Sequence, residues 1–274
     1  MLDVIAEMLS YDFIVRAIVV GVLVSMCAAL LGTSLVLKRY SMIGDGLSHV
    51  GFGALAIAAA LNWAPLETAI PIVIAAAFLL LRLSQSGRVK GDAAIALLSS
   101  SSLAIGMIVA KIANVNIDLN NYMFGSVLAL DSEDVVLSVI CSAAVIVLYV
   151  VFYNKIFAVT FDENFSRATG TRAGVYNMLI ALLTAVIIVI GMRLMGALLI
   201  SSLIIFPSLT SMRVCKSFRS VTICSVIVSI ACFLIGLGIT FFISVPTGAC
   251  IVAVNLAAFI IFYIIELVRG RNAV

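Results

Sequence analysis

Apolar runs of about 20 residues, the length a helix needs to cross ~30 Å of hydrocarbon, alternate along the chain with short polar connections. Nine can be marked, at residues 13–37, 42–61, 65–83, 93–113, 135–157, 175–191, 194–212, 221–243 and 247–268. Residues 122–130 are also apolar but too few to cross, and they read as an interfacial or re-entrant piece before the fifth span. No internal repeat or low-complexity linker divides the chain. The pattern predicts an all-α, polytopic membrane protein with a single transmembrane domain over residues 1–274.

Composition agrees: 64% of residues are hydrophobic, 11% are charged and the mean hydropathy is +1.30, far from the values of soluble domains. The first dozen residues carry Asp3, Glu7 and Asp12 and no basic residue. That is unlike the positively charged start of a cleavable signal, so the first span is expected to stay in the mature protein. A net charge of +3 gives no reason to expect a nucleic-acid partner. The six cysteines form no C-x-x-C pair, and all but Cys215 fall in apolar runs, so they read as small packing residues.

The placement of charge orients the spans, because cytoplasmic loops collect Lys and Arg. Lys38 and Arg39 follow the first span, Arg82, Arg88 and Lys90 the third, Arg213, Lys216 and Arg219 the seventh, and Arg269 and Arg271 the ninth. The other connections are acidic or uncharged: Glu67 follows the second span, and Asp118, Asp131, Glu133 and Asp134 follow the fourth. Nine spans with the N-terminus outside and the C-terminus in the cytoplasm satisfy this alternation. Arg193, at the expected turn between spans six and seven, is the exception.

Within the second span stand an acid, Asp45, and the only histidine, His49. Four residues apart on a helix, they share one face with Cβ atoms roughly 6 Å apart, close enough to hold one ion together. A charge at mid-bilayer costs roughly 2.5–3.5 kcal/mol on insertion scales, and such residues mark ion or proton routes. A neutral His hydrogen-bonded to its Asp and joining helices is the plainer alternative. A proton-coupled secondary transporter using the pair as a relay is another. An intramembrane hydrolase would need a nucleophile beside His49, but no G-x-S-x-G elbow is present and Ser48 points about 100° away on the helix.

Residues 161–170 fall on the cytoplasmic side and read as a short amphipathic helix. Phe161, Phe165 and Ala168 form an apolar stripe, Asp162 and Glu163 lie near its start, Arg167 near its end, and Gly170 can take a left-handed cap. Leading acids are unexpected on a helix lying on a lipid surface, which favours a protein-docking site. Asn255, Thr184, Ser201, Ser202 and Ser208 read as interhelical polar or packing residues, and Pro207 as a kink. Ser99 to Ser102 could line a wet path or permit close helix packing.

The run Leu37-Lys38-Arg39-Tyr40-Ser41-Met42-Ile43-Gly44-Asp45-Gly46-Leu47-Ser48-His49 resembles the signature of the membrane subunits of bacterial ABC importers for zinc, manganese or iron, the metal-ion ABC-3 permeases. Asn121-Tyr122-Met123-Phe124-Gly125-Ser126 is similar to that family's short segment before its fifth span. Phe161 to Gly170 resembles its coupling helix, and Gly196-Ala197-Leu198-Leu199 through Pro207 its late-span motif. Two departures stand out: Gly46 sits where alanine or threonine is common, an exchange expected to be harmless, and Ser244-Val245-Pro246-Thr247-Gly248 alters a turn that usually carries an acid and a leucine before its proline.

The resemblance implies a multi-pass protein of the bacterial plasma (inner) membrane, working as a homodimer with two cytoplasmic ATP-binding subunits and an extracellular or periplasmic metal-binding protein. No cofactor would be permanently bound. The cargo would be a divalent metal ion, with Zn2+ favoured because Tyr11-Asp12-Phe13 and the 121–126 run look closer to the zinc members. Asp45 and His49 would be transient metal ligands. Phe161, Asp162, Glu163, Phe165, Arg167 and Gly170 would form the ATPase contact. The sequence has no G-x-x-x-x-G-K-[ST] loop for ATP, so the chain is expected to be a transport subunit rather than an enzyme.

Overall fold

A computed structural model describes residues 11–85, 91–115, 122, 123, 125, 132–243 and 245–271. Its helices, in chain order, are α1 (Asp12–Leu37), α2 (Ile43–Ala60), α3 (Pro65–Gln85), α4 (Gly91–Ile112), α5 (Ser132–Val151), α6 (Tyr153–Phe161), α7 (Glu163–Ala168), α8 (Ala173–Met195), α9 (Ala197–Met212), α10 (Phe218–Phe242) and α11 (Thr247–Arg271). Eight of them are long and apolar enough to span a membrane, and α9 is an apolar helix of 16 residues, about 24 Å long. Each of the nine expected spans has its helix.

Burial sorts these helices into an inner and an outer set. α8 is enclosed along most of its length by α1, α2, α3 and α9, with Ile187, Ile188, Val189 and Ile190 fully buried. α2 packs chiefly on α4 and α3, while α10 and α11 close the other flank against α1 and α9. The outer helices keep apolar side chains exposed, among them Ile140 and Val147 of α5 and Ile260 and Ile264 of α11. Hydrocarbon gives these chains an apolar surrounding without protein contact, so the helices are held by close packing, in which large side chains such as Phe52, Tyr149 and Phe233 are fully buried and glycines mark the tightest approaches.

Two boundaries differ from the hydropathy reading. The expected fifth span, 135–157, is two helices: α5 stops at Val151, Phe152 leaves helical geometry with φ −96° and ψ 11°, and α6 begins at Tyr153. The turn between spans six and seven lies at Gly196 rather than at 191–194. Gly196 has φ 88° and ψ 156°, a conformation open essentially only to glycine, and so reverses the chain in a single residue. Arg193 therefore belongs to the last turn of α8, where it pairs with Asp134 of α5 at 3.1 Å. This partner explains a cation at that otherwise acidic end.

Candidate functional site

The position of α2 follows from its glycines. A Cβ built on Gly53 would lie 2.7 Å from the Ser102 carbonyl oxygen of α4, and one on Gly106 would lie 2.8 Å from the Gly53 Cα. The two helices thus meet backbone to backbone, and Ser102, from the serine run, serves close packing. On other sides Gly44 faces Ser201 and Ile204 of α9, and Gly51 faces Met192 of α8. Gly46 meets Ile95: an added Cβ would lie 2.5 Å from its Cγ2. The exchange expected to be harmless is therefore one that Ile95 must yield to.

With these faces packed, Asp45 and His49 occupy the sector left open, and their side chains are 47% and 27% exposed. His49 Nε2 stands 3.7 Å from Asp45 Oδ2. That is beyond a hydrogen bond. It is close to the roughly 3.4 Å that separates two ligands bound tetrahedrally at about 2.1 Å. Ser48 donates to the Asp45 carbonyl at 2.7 Å, so its hydroxyl is engaged with its own helix and not with the imidazole.

A residue given no individual role in the sequence reading completes the arrangement. Tyr122 Oη lies 3.3 Å from His49 Nδ1, and its ring packs edge-on against Phe52 with centroids 4.7 Å apart. Tyr122 can accept from an Nδ1–H, the tautomer that leaves Nε2 with a lone pair on the Asp45 side, and the contact orients the ring. Gly125 keeps this segment close to the helix reversal, for a Cβ there would come within 2.2 Å of the Met195 carbonyl carbon. Tyr122 and Gly125 of the expected 122–130 piece thus lie against α2 and the α8–α9 turn. Residues 124 and 126–130 lie outside the described residues. Among the described residues no cluster of three His, Cys, Asp or Glu forms, so one chain offers a donor pair and a neighbouring phenol.

At the opposite end of α8 from Arg193, the 161–170 segment is divided. Phe161 closes α6, Asp162 is extended at φ −146° and ψ 99°, and α7 runs over Glu163–Ala168. Asp162 caps α7 by accepting from the Phe165 N–H at 2.8 Å. Gly170, at φ 83°, ends it: its N–H donates to Arg167 O and that of Thr171 to Ser166 O, the paired bonds of a left-handed cap. Phe161 and Phe165 belong to different helices rather than one stripe, yet they are 61% and 65% exposed.

Glu163 joins α7 to the membrane helices. Its carboxylate accepts from Asn177 Nδ2 of α8 at 3.0 Å, pairs with Arg167 and lies 3.8 Å from Lys38 Nζ, which also donates to Asn177 Oδ1. Burial lowers the Lys38 pKa and Glu163 opposes that shift. Sequence alone gave Lys38 and Asn177 no place here, since Lys38 is more than a hundred residues from both partners and Asn177 lies on a different helix from Glu163.

The chain matches the model of a family described as the ABC 3 transport family over residues 10–266. It is similar to the probable iron transport system membrane protein of Haemophilus influenzae, 30% identical over 99% of this chain and 100% of that one. It is also similar to the manganese transport system membrane protein MntC of Listeria monocytogenes, 27% identical over 94% and 91%. Among solved structures, PsaBC from Streptococcus pneumoniae in complex with Fab matches at a TM-score of 0.84 and 27% identity, covering 94% of this chain and 95% of that one. The chain belongs to the ABC 3 transport family, as a multi-pass permease subunit of the bacterial plasma membrane without an ATPase site of its own.

Proposed function

We propose that this chain forms the path by which a divalent first-row transition-metal ion enters the cytoplasm, using Asp45 and His49 as transient ligands. The observation that carries the reading is the donor pair, 3.7 Å apart and partly exposed on a helix otherwise packed through glycine. Two protein donors fall short of the four that trap zinc in a structural site, so water or a second copy completes the coordination and release stays fast. Two copies about a two-fold axis would bring two Asp and two His to one path.

Imidazole suits zinc and iron, and carboxylate oxygen suits manganese. Relatives carry iron and manganese in their names, while the Tyr11 to Phe13 and 121–126 runs favour zinc. Energy comes from two separate ATP-binding subunits docked at α7, and the ion is delivered by an external metal-binding protein.

The test is uptake of zinc, manganese and iron by proteoliposomes holding the assembled transporter. Asp45→Asn and His49→Ala should each abolish uptake while leaving assembly with the ATP-binding subunits intact. Wild-type uptake by the His49→Ala complex at all metal concentrations would return the pair to a structural role. Uptake by this chain without its ATP-binding subunits would favour the proton-coupled alternative.

A further inference from the structure

At the end of the bundle that carries α7, a cavity of about 500 Å³ opens between α1, α5, α6 and α10. Its polar wall holds Tyr153 and Asn154 from α6 and Arg219 and Thr222 from α10, and its apolar wall Leu30, Val150 and Ile223. Polarity is graded along its length. Arg219 and Asn154 lie at the end of the bundle, where α5 has finished and α10 begins. Val150 and Ile223 follow, 63% and 51% exposed, and beyond them Val147 and Ile227 continue the apolar surface at 58% and 62% exposed.

Arg219 makes no ion pair among the described residues, whereas Arg167, Arg193 and Arg213 each have a carboxylate partner. Its guanidinium is one residue into α10 from Phe218, where the positive end of a 25-residue helix adds to the attraction for an anion. Tyr153 packs its ring on Phe218 at 5.7 Å, which fixes the edge of the cavity.

We propose that this cavity binds an anionic phospholipid, with the phosphate on Arg219 and the acyl chains along the α5–α10 groove. Guanidinium offers forked donors to phosphate oxygens, and the Tyr153 hydroxyl and Asn154 amide add neutral donors beside it. Basic pockets between helices at the membrane surface are suited to such headgroups. The graded wall distinguishes a lipid from a free anion, since phosphate alone has no use for the exposed valine and isoleucine surface. The proposal rests only on the chain lying in a membrane, not on its cargo.

The experiment is lipid retention by the purified full-length chain, delipidated in detergent and offered phosphatidylglycerol or phosphatidylcholine, with bound lipid counted by mass spectrometry. Wild type should retain phosphatidylglycerol in preference, and Arg219→Gln should reduce that preference by about fivefold. Arg219→Lys, which keeps the charge and loses the fork, should retain part of it. A lipid-free melting temperature equal to wild type establishes that Arg219→Gln is folded. Equal retention by Arg219→Gln and wild type, or no preference between the two lipids, overturns the proposal. Full displacement of phosphatidylglycerol by millimolar inorganic phosphate also overturns it, in favour of a free-anion site.

Discussion

The Lys38 ammonium, 12% exposed, lies 3.8 Å from the Glu163 carboxylate, so the end of α1 and the start of α7 are joined by charge across 125 residues of sequence. Lys38 is five residues before Ile43, where α2 begins, and seven before Asp45. A displacement of α7 thus reaches the helix that bears the donor pair through one short link. Glu163→Gln would leave the Lys38 charge with only an amide partner. Because Glu163 is partly exposed, the expected loss is about 1–2 kcal/mol of stability, less than the 3–5 kcal/mol of a fully buried pair. Transport per ATP hydrolysed should fall more than hydrolysis itself. An unchanged melting temperature together with an unchanged coupling ratio would show that the link is dispensable.

Tyr122→Phe keeps the ring on Phe52 and removes only the hydroxyl at His49 Nδ1. Loss of such a supporting hydrogen bond commonly costs about 10–100-fold in metal affinity or activity. The metal concentration giving half-maximal uptake should rise accordingly, with normal assembly. A half-maximal concentration equal to wild type would remove Tyr122 from the site.

Gly53→Ala places a methyl 2.7 Å from a backbone oxygen that cannot rotate away. Overpacking of this kind costs about 1–3 kcal/mol, so thermal unfolding should move down. Gly174→Ala in α8 is the control, because nothing lies within 4 Å of its added Cβ, and helix propensity there should leave stability equal or raised by up to about 1 kcal/mol. A Gly53→Ala protein as stable as wild type would contradict the backbone contact.

Phe165 is 65% exposed, so its truncation should not disturb the fold. If α7 is the docking helix, Phe165→Ala removes an aromatic anchor of the kind whose loss often costs about 2 kcal/mol or more at interfaces. Co-purification with the ATP-binding subunits should then drop by an order of magnitude or more. Undiminished co-purification and ATPase stimulation would exclude the docking role.

Orientation is checked by single cysteines in a cysteine-free background, probed with an impermeant thiol reagent on intact cells. Position 118 should react and position 216 should not, following the acidic and basic connections to which they belong. Labelling at 216 from outside would reverse the topology.

The helices were legible because hydrocarbon imposes one rule on every residue of a span, and each of the nine runs marks a helix. The break at Phe152 was not, since no glycine or proline marks it and the polar pair Asn154-Lys155 is followed at once by the apolar Ile156 and Phe157. Asp45 and His49 were conspicuous as polar groups in an apolar helix, and their shared face is what i and i+4 dictate. Tyr122 stood in a recognised motif without a role, because its meaning depends on which distant nitrogen it meets. Lys38 looked like an ordinary basic residue after a span, and only the folded chain turns it towards Glu163. Gly46 looked interchangeable with alanine until Ile95 stood beside it.

Backbone contact between Gly53 and Gly106 has a mechanical meaning. Helices separated by a layer of side chains can slide by repacking them, but α2 and α4 have no such layer at this crossing. They should travel as one rigid body, with spin labels on the two keeping a constant separation through the transport cycle. Any gating motion at Asp45 must then be taken up elsewhere, in the 38–42 and 61–64 connections or at Gly196, and α4 becomes part of the moving gate although it carries neither of the proposed ligands.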